Sequence, residues 1–370
     1  MARLTRAETQ ERTRANVLAA ARGEFAANGF RAARIDAIAE RAELTRGAVY
    51  SNFPGKRALY FAVLADLAER PPAPGGPAPQ PGRTAAEALG SLARAWATRL
   101  APEGQDIATA RLGVDLIPEI VADERLRPPF LQLQKLNALL VALALEGVRP
   151  YEAVPGAPPR RAVRLAETVL TTLHGASRMA AAAPGFIEPF DVVSACEQLA
   201  GLDLSDWWAP PTTALPARLV DEPWAPPGAR DLVRGGPALL TGDGVVAVLG
   251  LHRLSAVEEA VRATPPGTPV TAVLVTGEPG ELAPLARLIV AELSACLREA
   301  FPRSSWPRLQ VVCDASGALA AAAGVSAVDD TTESAVLIDA GRVRSRAEGP
   351  AACHAVSVSV SASVAQPTAG

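Results

Sequence analysis

Apolar positions along the first 210 residues recur with a helical period. A first helix is predicted over 9–28, with Val17, Leu18, Ala21 and Phe25 on one face and Asn28-Gly29 as its stop. A second, shorter helix begins near Arg34 and turns Ile35, Ile38 and Ala39 inward. After a break at Glu43-Leu44, Thr45 offers a hydroxyl to cap a third helix, RGAVYSNF (46–53). That helix is apolar only through Ala48, Val49 and Phe53; its other face carries Arg46, Gly47, Tyr50, Ser51 and Asn52. Pro54-Gly55 ends it, and Lys56 opens a fourth helix with Leu59, Val63 and Leu67 inward. Further helical periods occupy 84–100, 105–121, 126–147, 159–182 and 189–203. Beyond residue 230 the period changes. Short β-branched runs at 245–249, 270–275, 309–312 and 335–338 alternate with helical stretches at 254–263, 281–300 and 317–323, the pattern of an α/β domain. A hairpin turning at Ala340-Gly341 closes it. The Ser/Val alternation at 355–364 reads either as an edge strand or as disorder, with disorder favoured.

Proline divides this pattern. Residues 71–82 (PPAPGGPAPQPG) and the proline-broken stretch 209–229 read as semi-extended spacers. The expected organisation is therefore multidomain: an all-α head (1–70), a helical middle (83–208), an α/β part (230–350) and a tail (351–370).

Composition adds three constraints. The 370 residues are 49% hydrophobic and 20% charged, enough to bury more than one core. The formal net charge of −3 excludes a chain that is basic throughout, but residues 1–70 hold 12 Lys/Arg against 8 Asp/Glu and the remainder 24 against 31. A basic head on an acidic body suits a protein that meets phosphate with one end. The sequence shows no apolar run of roughly 18 residues, so no membrane span is expected. The N-terminal MARLTRAETQERTR lacks the apolar core of a signal peptide, which makes the cytoplasm the expected compartment. The four cysteines, Cys196, Cys296, Cys313 and Cys353, have no metal-ligand spacing, and no metal or cofactor is expected.

Two short helices joined by a tight turn, the second small enough for a major groove, form a DNA-reading unit. The string GFRAARIDAIAERAELTRGAVYSNFPGKRALY (29–60), with Gly-x-x-Tyr-x-x-Phe-x-x-Lys at 47–56, resembles the DNA-binding domain of TetR/AcrR transcriptional regulators over about residues 10–68. The resemblance implies that Tyr50 and Lys56 contact phosphates, that Arg46, Ala48 and Ser51 face base edges, and that Thr45 both caps the helix and touches the DNA backbone. Arg34, Gly47 and Asn52 complete the expected DNA-facing set. Two positions depart from the family: Ala33 stands where a Thr/Ser cap is usual, and Glu43 where glycine is usual.

The same resemblance implies that the middle helices hold a small-molecule effector and that the last two, 159–182 and 189–203, pair with their copies. A homodimer on palindromic double-stranded DNA, a ligand-responsive repressor, would follow. Polar residues within the apolar helices, Trp96, Arg99, Asp115, Gln132, His174 and Arg178, are the candidate effector contacts.

Residues 309–349 look like the C-terminal half of a thioredoxin-like or peroxiredoxin-like domain. Redox chemistry in such folds needs a low-pKa thiolate just after the first strand. The segment there, GLHRLSAVEEA (250–260), has none, and His252 occupies the position. The appended domain is therefore expected to be non-catalytic. The alternative is a thiol-dependent oxidoreductase or redox sensor fused to a DNA-binding head. TGDGV (241–245) and TGEPGEL (276–282) carry glycines but not phosphate-loop spacing.

Overall fold

The computed structural model describes residues 5–70, 80–100, 112–148, 161–204, 206, 208–212 and 216–364. The head is formed by α1 (Arg6–Ala32), α2 (Ile35–Arg41), α3 (Arg46–Asn52) and α4 (Lys56–Ala68). A capping box between Thr5 and Glu8 starts α1. Gly29, with φ of 68°, kinks its last turn. The aromatic rings of Phe25, Phe30 and Tyr60 meet at centroid separations of 4.9 to 6.2 Å and fill the centre of the head.

The middle consists of α5 (Ala85–Leu100), α6 (Leu116–Ala122), α7 (Arg127–Val148), α8 (Val163–Ala182) and α9 (Pro189–Leu199). Residues 105–111 of the predicted 105–121 segment lie outside the described residues. The stretch Glu124–Val148 is, contrary to the expectation from sequence, long and apolar enough to cross a membrane, with mean hydropathy 1.2. It serves here as a core helix: Leu133, Leu136, Leu140, Val141 and Leu145 are all buried.

The α/β part is a mixed six-stranded sheet in the order β1-β8-β7-β4-β5-β6, with β2 (Arg230–Asp231) and β3 (Gly236–Pro237) forming a separate two-stranded ladder. β4 (Gly244–Gly250), β5 (Val270–Val275) and β6 (Leu309–Cys313) are parallel, in register Val245↔Val270↔Leu309. β7 (Glu333–Asp339) and β8 (Arg342–Glu348) run antiparallel beside β4, and β1 (Arg218–Pro223) covers the edge of β8. The β7–β8 turn is Ala340-Gly341, with φ of 49° and 71°, the positive values that a tight two-residue hairpin requires.

Both faces of this sheet are buried, which explains why its central strands are apolar without alternation. Val246, Val248, Val273, Val312 and Val336 pack on one side beneath α12 (Ala318–Ala322) and Trp224. Val245, Ala247, Ala272, Leu274 and Val311 pack on the other against α10 (Ala256–Ala263) and α11 (Leu282–Ala300). α11 is buried nearly all round, because it is enclosed by α4, α5, α7 and β6 together. One apolar core consequently runs without a break from Val17 in α1 to Val311 in the sheet.

The Ser/Val segment is neither strand nor disorder. Residues Ala352–Val364 form a helix, α13, laid across β7, β8 and α10. Ala352, Cys353, Val356 and Ser357 are buried, a spacing of three and four that makes one helical face. The nearest sheet edge is already occupied by β1, so tertiary packing overrides the strand propensity of the valines.

Candidate nucleic-acid interface

The turn between α2 and α3 is set by two backbone features. Glu43 adopts φ of 56°, the left-handed conformation, and carries the chain around the corner. Thr45 then caps α3, its hydroxyl accepting the Ala48 amide at 3.2 Å. Val49 and Phe53 anchor the helix to the head, and Arg14 reinforces that anchorage. The Arg14 guanidinium lies 4.4 Å from the Phe53 ring centroid and donates to the Asn52 carbonyl at 3.2 Å. The opposite face of α3 is open: Thr45, Arg46, Gly47, Tyr50 and Ser51 are all exposed, with Tyr50 at 41%.

Arg46 is held in a defined direction by two neighbours. Asp36 in α2 lies 3.4 Å from its guanidinium, and the Tyr50 ring lies 5.5 Å beneath it. Ser51 Oγ and Asn52 Nδ2 both donate to the Ala48 carbonyl at 2.9 Å, a local arrangement that water or a DNA group could replace. Arg34 is exposed at the N-cap of α2. Lys56 is less free: its ammonium donates to the carbonyls of Arg31 (3.1 Å) and Ala33 (3.2 Å) and sits 4.7 Å from the Phe30 ring. It closes the end of α1 while remaining beside the α3 surface.

The structure also supplies what Ala33 cannot. Ala33 ends α1, and Arg34 is the N-cap of α2 with no side-chain cap of its own. The buried carboxylate of Glu24, on α1, accepts the Arg34 amide at 3.3 Å, and also the Asn28 side-chain amide at 2.9 Å. An anion near a helix N-terminus is favourable, so a distant glutamate substitutes for the missing hydroxyl. Glu24, Asp36 and Arg14 were not singled out in the sequence, because each acts across the fold and not within a local motif.

The candidate effector residues are only partly gathered. Trp96 and His174 meet edge to face at 4.9 Å, with Trp96 donating to Ser177 Oγ (2.9 Å) and His174 Nε2 paired with Gln134 (3.2 Å). Burial lowers the His174 pKa and favours the neutral ring. Asp115 lies elsewhere: its carboxylate accepts the Phe30 amide at 2.9 Å and ties the middle to the kink of α1. Gln132 accepts the Ser255 amide at 2.8 Å and so links α7 to the α/β part. Arg178 is exposed on α8, and the Arg99 side chain lies outside the described residues.

The four thiols are free. Burial pushes Cys313 up to about 12 and Cys196 up to about 11, and raises Cys353 as well. Thiolate chemistry is disfavoured at each of these three. His252 is exposed at the end of β4. Among the described residues no group of His, Cys, Asp or Glu has the geometry of a metal site.

Residues 17–63 match the family described as bacterial regulatory proteins, tetR family. Two curated proteins, both from Pseudomonas putida, are similar over 65 residues at 49% identity, 18% of this chain. They are the HTH-type transcriptional regulator SrpR and an uncharacterized HTH-type transcriptional regulator, TtgW. The chain spans 30% and 48% of the length of these relatives, respectively, so the likeness is confined to the head.

Proposed function

We propose that this chain, whose N-terminal domain belongs to the tetR family of bacterial regulatory proteins, is a DNA-binding transcriptional regulator that reads a palindromic operator as a homodimer. The observation that carries the reading is α3: a capped, rigidly anchored helix whose outward face is Arg46, Gly47, Tyr50 and Ser51. Arg46 suits a guanine edge, because its planar fork can donate twice to one acceptor pair. Tyr50, Thr45 and Lys56 suit phosphate oxygens, which position the helix without reading sequence.

A single seven-residue helix reads few base pairs, and a second copy supplies the other half-site. The surface available for pairing is apolar. Met179 near the end of α8, Phe186 in the connection and Phe190 at the start of α9 are 41%, 71% and 77% exposed. Exposed aromatic and aliphatic side chains on two adjacent helices and the connection between them suit burial against a second copy. The repressor role and the response to a small molecule are carried as part of this reading; the Trp96–His174 cluster between α5 and α8 is the candidate contact within the middle.

The α/β part is read as a thioredoxin-like domain without redox activity. Three parallel strands, an antiparallel hairpin and a closing helix support that likeness, and the absence of cysteine between Gly250 and Ala260 supports the loss of chemistry.

Selection of fragments from random DNA by the full chain tests the proposal. The expected product is an inverted repeat whose half-sites lie about one helical turn apart, roughly 34 Å. Recovery of no enriched sequence, or of a single unrepeated element, would overturn it.

A further inference from the structure

A cleft of about 230 Å³ opens where the head, the middle and the α/β part converge. Its wall on one side is the carboxyl ends of β4 and β5, represented by His252 and by Glu278, Glu281 and Leu282. β4 is the strand at which the sheet changes direction of growth: β5 and β6 extend it on one side, β7 on the other. β7 runs antiparallel to β4, so at this end of the sheet the cleft is bounded by the carboxyl ends of β4 and β5 and the amino end of β7. It faces α4 and the start of α7.

The charges in the cleft are unbalanced. Arg57 of α4 is consumed by Asp123, at 2.9 Å, and by Glu281. Arg125 is likewise committed to Asp123, at 3.0 Å. Among the described residues the carboxylates of Glu278 and Asp330 lie in no direct ion pair, Arg125 acting on Glu278 only through its charge, and Asp330 Oδ1 is shielded from solvent without a hydrogen-bond partner. A shielded oxygen with no donor is costly unless something supplies one. Leu126, Pro128 and Leu282 give the cleft an apolar floor.

The same loop touches the DNA-reading unit. A Cβ placed on Gly280 would stand 2.9 Å from Pro54 Cγ, so the backbone of residues 278–281 abuts the turn that follows α3. Glu278 and Glu281 are cleft walls on one side of this loop, and Pro54 is its neighbour on the other.

We propose that this junction cleft is a binding site for a small molecule with one cationic amidine, guanidine or amine group on an apolar body. Occupancy repositions the 276–281 loop against Pro54 and thereby alters DNA affinity. The coupling half of this inference rests on the DNA-binding reading above; the binding half does not.

The test uses the full chain and benzamidinium as probe, with benzoate and benzamide as anionic and neutral controls of matched shape. Calorimetric titration without DNA should show benzamidinium binding in the millimolar range usual for fragments, and neither control should bind comparably. Asp330→Asn should weaken the probe about tenfold, the loss expected of one charge-assisted hydrogen bond. Glu278→Gln, on an exposed loop, serves as the second variant should Asp330→Asn not fold. Absence of benzamidinium binding, or binding unchanged by these variants, overturns the site. Saturating benzamidinium should then shift operator affinity severalfold; binding without any shift overturns the coupling. If the chain selects no DNA at all, the reading of the head fails while the calorimetric result still decides the cleft.

Discussion

Arg287 presents its guanidinium side-on to Glu69, with Nε to Oε1 at 2.7 Å and the adjacent terminal nitrogen to Oε2 at 2.8 Å, across 218 residues of sequence. The paired geometry is the stronger form of an arginine–carboxylate contact. It fastens the end of α4, the last helix of the head, to α11 of the α/β part, while Arg57 and Glu281 fasten the start of α4. Glu69 is 14% exposed and Arg287 35%, so solvent screens the bridge only in part. Glu69→Gln should lower the unfolding free energy by ~1 kcal/mol, at the modest end because of that exposure. Denaturant titration should show a lower midpoint with unchanged slope. An unchanged midpoint would mean that the bridge contributes nothing net.

Glu43 carries a different strain. A side chain in the left-handed region costs about 1 kcal/mol that glycine does not incur. Glu43 is exposed at φ of 56°, and among the described residues its side chain makes no hydrogen bond or ion pair that offsets the cost. Glu43→Gly should therefore raise stability by up to ~1 kcal/mol, with operator affinity changed little. A destabilised glycine variant would show that the turn is held by the glutamate and not merely tolerated by it.

The two cations of the α3 region should behave unlike each other. Arg46→Ala should relax preference at one base position of each half-site by ~1–3 kcal/mol, because its exposed guanidinium stands on the open face of α3 beside Asp36 and Tyr50. Lys56→Ala should weaken all DNA alike and reduce the salt slope by ~1 per head. It should also cost stability, since the Lys56 ammonium holds the carbonyls of Arg31 and Ala33. Affinity for a panel of single-base operator variants at several salt concentrations separates the two. If Lys56→Ala changed sequence preference and Arg46→Ala did not, the roles assigned to them would be exchanged.

What could be read in the sequence was local. The α3 helix and its Thr45 cap follow from spacing and capping preference within a few residues, whereas the left-handed turn at Glu43 runs against the residue's own preference and is signalled only by the glycine usual there in the resembled family. The four central strands do as well, because two buried faces leave uninterrupted apolar runs. What could not be read was long-range. Glu24 capping α2 and Glu281 meeting Arg57 across 224 residues leave no periodic trace. The segment 352–364 misleads for the same reason: alternation of valine and serine favours a strand in isolation, yet the surface offered to it is a sheet face with its edge closed by β1. Asp115, a candidate ligand contact from its chemistry alone, is instead bonded to the backbone of Phe30.

The thiols give a chemical check on the non-redox reading. With Cys196 and Cys313 pushed up to about 11 and 12 by burial, the reactive thiolate fraction at pH 8 is about a thousandth or less. Native protein should react slowly with Ellman's reagent, and all four cysteines should titrate at once in guanidinium. One fast-reacting thiol in the native state would reopen a sensor role.

Beneath α13, Arg253 pairs with Glu333 and acts on Glu259 only through its charge. Arg253 donates to Glu333 Oε2 through Nε at 3.0 Å, while Glu259 Oε2 and Glu333 Oε1 have no hydrogen-bond partner among the described residues. Burial, and then the Glu333 charge, push Glu259 up to about 7 from its ordinary 4.5. Below the unfolded value both states hold this proton and no difference arises. Between about 4.5 and 7 the folded chain keeps the proton that the unfolded chain has released, so stability falls as pH rises through that window. Above it the penalty is constant. Glu259→Gln removes the titrating group while keeping its shape. The variant should therefore melt ~2–4 °C above wild type at about pH 8, and the gap should close toward about pH 5. A gap that is absent at both pH values, or that widens in acid, would overturn the assignment.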